Sequence, residues 1–273
     1  MKIQQARRWI GMVVAMVAIT GQAEANERYF TYTYEPETMP QGAMEFEQWV
    51  TLRAGRNAKV GKEDFNKWQL REELEYGVTD NYTAALYLNT AATSFRTPSG
   101  SDSAEFEFEG VSLENRYMVL NPAEHPVGLA LYFEPRYSGQ EAELEEKLIL
   151  GQRVGDWKWA FNVVHATEWT SNLHGLAGEF ELDFGLTRAL TSHLSAGIEV
   201  RNHNELPEYH TWEHTAFFVG PVLTYRQERW WLTLTVMPQV FGRNFHGDPD
   251  GQRALVLDEH ERVNARLIVG FDF

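Results

Sequence analysis

Apolar residues return at every second position along nearly the whole chain, and a period of two is the period of a β-strand. The final stretch, ERVNARLIVGFDF, shows it plainly. Val263, Ala265, Leu267, Val269, Phe271 and Phe273 alternate with Asn264, Arg266, Ile268, Gly270 and Asp272. Successive strand side chains point to opposite faces, so one face is apolar and the other mostly polar or small. In AMEFEQWVTLRAG, Met44, Phe46, Val50, Leu52 and Ala54 face away from Glu45, Glu47, Trp49, Thr51 and Arg53. In KWQLREELEYGV, Trp68, Leu70, Leu74, Tyr76 and Val78 oppose Gln69, Arg71, Glu73, Glu75 and Gly77. The polar turn TDN then leads into YTAALYLNT, a hairpin signal.

About twelve such segments are legible, each close to the ~9–11 residues that a tilted barrel strand needs. Their connections alternate between two kinds. TDN, NPAEHP, QRVGD, TRALTSH and RQER are short. NAKVGKED, RTPSGSDSAE, SGQE, TSNLHG, HNELPEYHTWEH and GRNFHGDPDGQRALVLDEHE are mostly longer. Short turns at one end and long loops at the other, with an even strand count, predict an all-β, antiparallel, up-and-down transmembrane barrel with both termini periplasmic.

The start of the chain agrees. Lys2, Arg7 and Arg8 precede the apolar run Ile10 to Thr20, and Ala23-Glu24-Ala25 is a small-x-small cleavage site. These are the parts of a secretory signal peptide, and the run is short of the ~20 residues of a membrane span. The expected organisation is a signal peptide over 1–25, a periplasmic N-terminal segment over 26–43 and a barrel over 44–273. Within the segment, YFTYTYE (29–35) also alternates, and a strand, a plug and a tail all fit it. The chain has no cysteine, which excludes disulfides and thiolate chemistry. Mean hydropathy is −0.42 although 13% of residues are aromatic. A barrel reconciles the two, because only alternate residues touch lipid. A net charge of −15 argues against a nucleic-acid partner.

A terminal phenylalanine on an alternating strand, LIVGFDF, resembles the C-terminal signature of bacterial outer-membrane β-barrels. In that class Phe271 and Phe273 correspond to the signal read by the barrel-assembly machinery. ETMPQGAMEFEQWVTLR, ELEYGVTDNYTAALYL and GLALYFEP resemble a poorly characterised, transporter- or porin-like group of medium-sized barrels. The resemblance implies the bacterial outer membrane as the address and its lipid as a partner. It supplies no catalytic residues.

The polar faces carry Glu45, Glu47, Arg53, Arg71, Glu73, Glu75, Glu114, Arg116, Glu134, Arg136, Glu143, Glu145, Lys147, Glu179, Glu181, Asp183, Glu199, Arg201 and Arg266, which are expected to line the lumen. Acids outnumber bases. One reading is a passive channel whose acidic lining favours small cationic solutes. The other is a lumen filled by ion pairs, giving a non-conducting structural or binding barrel. His165, His174, His203, His210 and His214, with Glu168 and Glu213, are the residues on which catalysis or metal binding would rest. His210 and His214 would share a face on a helix, but no zinc-protease motif or G-x-S-x-G is present, and HGDPDG reads as a turn. No enzyme activity, metal or cofactor is expected. Gln48, Glu72 and Glu146 fall on the lipid face, and FEFEGVS changes phase at Gly110, where a bulge is expected.

The mature protein is predicted to begin at Asn26 and to fractionate with the outer membrane as a heat-modifiable band. Release by osmotic shock as a soluble periplasmic product would contradict the barrel.

Overall fold

The computed structural model describes residues 28–57, 62–170, 174–209, 211–246 and 254–273. The signal peptide, His210 and most of HGDPDG lie outside them. Twelve strands follow one another in antiparallel order: β1 (Met44–Ala54), β2 (Glu63–Thr79), β3 (Tyr82–Arg96), β4 (Asp102–Leu120), β5 (Gly128–Tyr137), β6 (Ala142–Val154), β7 (Trp157–Thr170), β8 (Gly175–Ala189), β9 (Leu194–Leu206), β10 (His214–Arg226), β11 (Trp230–Asn244) and β12 (Val263–Asp272). Each pairs with its sequence neighbours, and β12 pairs with β1 to close the barrel. At the seam Glu45 stands opposite Asp272 and Ala54 opposite Val263. The amide of Phe273 donates to the Met44 carbonyl at 3.1 Å, so the last residue ties down the first residue of β1.

Burial is inverted relative to a water-soluble protein. Leu70, Leu74, Leu86, Leu113, Leu131, Phe133, Leu148, Ile198 and Leu234 are exposed on the outer surface. Tyr76, Tyr117, Trp157, Phe271 and Phe273 ring the short-turn end, and Trp68, Phe106, Phe108, Tyr137 and Phe241 lie toward the other. A continuous apolar belt with aromatic girdles is a lipid-facing surface, since water-soluble proteins rarely expose such area. The polar faces are buried inside, where Glu45, Glu47, Glu75 and Glu114 are each at most 2% exposed.

Several strands are longer than expected. β2 has 17 residues and β4 has 19. Asp102–Glu105, expected in a loop, belong to β4, and His203–Leu206 belong to β9. Polar hairpins can keep pairing beyond the lipid, so hydropathy marks the membrane band and not the strand ends. The phase change at Gly110 is a bulge: Asn89 pairs with Gly110 and Thr90 with Phe108, leaving Glu109 unpaired. Gly110 has φ 115°, and a Cβ there would lie 2.5 Å from the Tyr137 carbonyl oxygen.

The outward polar residues are in register. Gln48 pairs with Glu72 across β1 and β2, and its amide donates to the Glu72 carboxylate at 3.4 Å. Glu146 pairs with His165, whose Nδ1 lies 3.6 Å from its carboxylate. Each side chain thus meets a cross-strand partner that softens its cost in lipid.

Gly110→Ala is expected to destabilise the folded barrel by about 1–3 kcal/mol through the strained backbone and the clash. Phe273→Ala is expected to lower the yield of heat-modifiable protein far more than Ser99→Ala in an exposed loop. Urea titration and gel mobility check the two.

Candidate functional site

The lumen contains part of the chain itself. Residues 28–39 run inside the barrel from the short-turn end, and Tyr29, Phe30, Tyr32, Tyr34 and Met39 are all buried. These residues, part of the N-terminal segment 26–43, form an internal plug, one of the three arrangements that fit YFTYTYE. Although YFTYTYE alternates, it is a bent loop, not a strand. The Tyr29 amide donates to Glu35 Oε1 at 2.7 Å, which folds the segment back on itself.

Side chains of the wall satisfy the backbone of the plug. The Glu199 carboxylate accepts from the amides of Thr31, Tyr32 and Thr33 at 3.2, 2.7 and 2.7 Å. It also accepts from the hydroxyls of Thr31 and Thr235 at 3.1 and 2.7 Å. Three successive N–H groups around one anion make a nest with its charge supplied by the barrel. Asn162 clasps Tyr34 both ways, accepting from its amide at 2.6 Å and donating to its carbonyl at 2.9 Å. Thr233 donates to the Arg28 carbonyl, Thr224 to the Tyr29 carbonyl and Arg266 to the Thr31 carbonyl. At the rim, Thr38 bonds the carbonyl of Asp80 in the β2–β3 turn at 2.7 Å.

Packing follows the same plan. Arg266 lies 3.8 Å over the Tyr32 ring, Lys147 lies 4.0 Å over Tyr34 and Arg226 lies 4.1 Å over Tyr29. Such cation–π contacts strengthen as water is excluded. Phe30 fills the space left by Gly185 on β8, where a Cβ would come within 2.4 Å of its ring. Arg28 inserts among carboxylates of the β1–β2 wall. Its guanidinium is 3.9 Å from Glu47 and stacks on Tyr34 and Trp49 at 3.9 and 4.5 Å.

The structure brings the expected lumen residues together in two groups. Glu45, Glu47, Glu73, Glu75, Glu114, Arg116, Glu134 and Glu199 are buried around the plug. Arg53, Arg71, Arg136, Glu143, Glu145, Lys147, Glu179, Glu181, Asp183, Arg201 and Arg266 line a cavity of about 270 Å³. Glu109 and Glu168 join its wall, and Tyr32 and Tyr34 of the plug also line it. Many of these charges are paired. Arg116 bonds Glu75 and lies 3.4 Å from Glu114, Arg201 bonds Glu181, and Arg136 bonds Glu143. Lys147 and Glu145 are 2.9 Å apart, and Arg71 and Glu134 are 3.7 Å apart. Around the cavity, cationic groups nearly match carboxylates in number. The surplus of acid sits deeper, against the plug.

The histidines separate. His165 lies on the outer face, with its Nε2 3.2 Å from the Tyr209 hydroxyl. His174 is in the β7–β8 loop. His214 starts β10 and stands opposite Glu205 of β9; the expected helical pairing with His210 falls on a residue outside the described ones. At the long-loop end His203 and His214 meet His260, which arrives from the β11–β12 loop, with ring centroids 4.7 and 4.6 Å from it. Burial and the two neighbouring imidazoles push the His260 ring well below the usual histidine range. Sequence reasoning missed Asn162, Thr224, Thr233, Thr235 and His260. The threonines stand in the sequence as small polar residues on the alternating polar face of β10 and β11, without the charge that marks the other lumen residues.

Removing the Glu199 carboxylate strands three backbone donors, and a hydrogen bond to a charged group contributes about 1.5–3 kcal/mol. Thr33→Cys, the only thiol in the chain, is expected to resist maleimide in the folded barrel. Adding Glu199→Ala is expected to speed its labelling at least about tenfold, the equivalent of one such bond.

Comparison with known proteins fits this architecture. The model of a family of unknown function, DUF6662, matches residues 22–148 and 161–273. No curated protein matches the sequence significantly. Among solved structures, the COG4313 outer membrane channel from Pseudomonas putida F1 is similar with a TM-score of 0.60 at 11% identity, over 89% of this chain and 100% of that one. The NanC porin is similar with a TM-score of 0.54 at 11% identity, over 84% and 100%. The β domain of the Bordetella autotransporter BrkA is similar with a TM-score of 0.52 at 9% identity, over 85% and 100%. At these identities the likeness is one of fold: a closed barrel of the outer-membrane, porin-like type.

Proposed function

We propose that this chain, which belongs to the family of unknown function DUF6662, is an outer-membrane channel held shut by its own N-terminal segment and favouring small cations when that segment moves. The observation that carries the reading is the manner of docking. Polar contacts to wall side chains hold the plug, and no strand pairing does. Water entering an opened lumen can replace such contacts one by one.

The selectivity follows from where Arg28 sits. It is a counter-charge to Glu47, Glu73 and Glu75, and it belongs to the plug. When the plug leaves, Arg28 leaves the β1–β2 wall, while Glu35 and Glu37 go with it and Lys158 on β7 loses its partner Glu37. The wall then presents uncompensated carboxylates, which attract cations in a low-dielectric pore. The termini are assigned to the periplasm, with assembly through the barrel-assembly machinery and lipid around the belt. No catalytic step forms part of this reading.

The paired charges around the cavity support a second reading, in which the barrel is a non-conducting structural or binding protein. Planar-bilayer recording separates the two. Wild-type protein is expected to give rare, brief openings, and Glu199→Gln, which keeps the shape and removes the charge, to open at least about tenfold more often. The reversal potential of the open state should lie on the cation side. Glu47→Gln with Glu73→Gln should move it toward anions, and the shift should shrink at high salt, where charges beyond ~10 Å are already screened at 0.1 M. Silence from folded Glu199→Gln protein would favour the filled barrel.

A further inference from the structure

We propose that His203, Glu205, His214 and His260 form a binding site for one divalent transition-metal ion, with Zn²⁺ as the reference ligand. The inference is independent of whether the barrel conducts. His203 and Glu205 stand two residues apart on β9 and share a face. His214 lies directly across from Glu205 on β10, and His260 is delivered by the β11–β12 loop.

The geometry is convergent. Glu205 Oε1 lies 3.6, 3.8 and 3.9 Å from the Nε2 atoms of His203, His214 and His260. These separations are too long for hydrogen bonds. They have the scale of ligand-to-ligand edges in a tetrahedral site, roughly 3.3–3.5 Å for metal bonds of about 2.0–2.2 Å. The Nε2 atoms of His214 and His260 are 2.7 Å apart and share one proton. A metal ion would take that proton's place and widen the gap by roughly half an ångström.

A second observation points to a ligand. Glu181 Oε1 lies 2.6 Å from His203 Nδ1. A carboxylate only accepts, so in that contact Nδ1 is the donor; the Arg201 guanidinium lies 2.8 Å from the same nitrogen. The Nε2 atom of His203 has no hydrogen-bond partner, although the residue is only 4% exposed. A buried imidazole nitrogen without a partner, 3.6 Å from the Glu205 carboxylate and 3.8 Å from that of Glu179, stands where a cation would be held. The Glu181–His203 contact is also the outer-shell carboxylate–histidine arrangement that orients metal-binding imidazoles. His214 and His260 are equally buried, at 0% and 4% exposure, whereas the Glu205 side chain is 32% exposed and offers a way in. Three imidazoles and one carboxylate suit Zn²⁺, Cu²⁺ or Ni²⁺, and not the oxygen-seeking Ca²⁺ or Mg²⁺.

The test uses the mature chain refolded in detergent, stripped with chelator, and titrated with Zn²⁺ by calorimetry. One ion per chain is expected. Glu205→Gln and His260→Gln should each weaken binding by at least about a hundredfold, and Glu181→Gln by about ten- to a hundredfold, as for an outer-shell partner. His174→Gln, in a separate loop, should leave binding unchanged. Co²⁺ should give the visible bands of a four-coordinate site in the wild type and lose them in His260→Gln. Heat modifiability shows that each variant is folded, and His260 lies outside the strands. No Zn²⁺ uptake by the wild type, or uptake unchanged in folded His260→Gln and Glu205→Gln, would overturn the proposal.

Discussion

A polar backbone group at membrane depth must find its partner within the protein, and here that constraint acts twice. It acts first on the wall. Twelve strands satisfy one another only if the last pairs with the first, which β12 and β1 do along ten residue pairs. It acts again on the segment that the wall encloses. Residues 28–39 have no ladder of their own, and irregular backbone is tolerated at that depth only when protein or water satisfies it. Glu199, Asn162, Thr224 and Thr233 provide that satisfaction. The polar face of the wall is thus shaped in part by what it has to hold.

The same enclosure governs the charges. Desolvating an ion costs several kcal/mol, and a partner recovers this only with good geometry. Arg116 between Glu75 and Glu114, and Arg201 on Glu181, meet that demand within the wall. Arg28 meets it from the plug, so one acid-rich cluster has its counter-charges divided between the wall and the plug. Removing either part leaves the other uncompensated, which couples the position of the plug to the field inside the pore.

Much of the fold was legible because a strand in a lipid-facing wall has little freedom in its alternation. The segment from Val263 to Phe273 has to present one apolar face, and the phase slip at Gly110 has to be a bulge if the flanking faces are to stay in register. The plug was not legible. Tyr29, Tyr32 and Tyr34 are spaced by contacts with Arg226, Arg266 and Lys147, and that spacing imitates a strand. The histidine cluster was hidden for another reason. His203, His214 and His260 become neighbours only because closure brings the loop before β12 against β9 and β10. Local spacing ties His214 to its sequence neighbours, whereas the strand pairing sets it opposite Glu205 of β9. The outward Glu72 and Glu146 read as misfits until their cross-strand partners, Gln48 and His165, were in view.

The plug precedes the first strand, yet most clasps on its backbone come from the second half of the chain. Thr31 to Glu199 spans 168 residues, Tyr34 to Asn162 spans 128, and Arg28 to Thr233 spans 205. Contacts at such separation carry a large loop-closure cost and form late. The contacts of the plug with β1 to β3 therefore do not suffice to fix it, and most of its backbone is satisfied only where the later strands complete the wall. The first described residues of the chain thus depend on strands far along it, so a firmly held plug is itself a sign that the second half of the wall is in place.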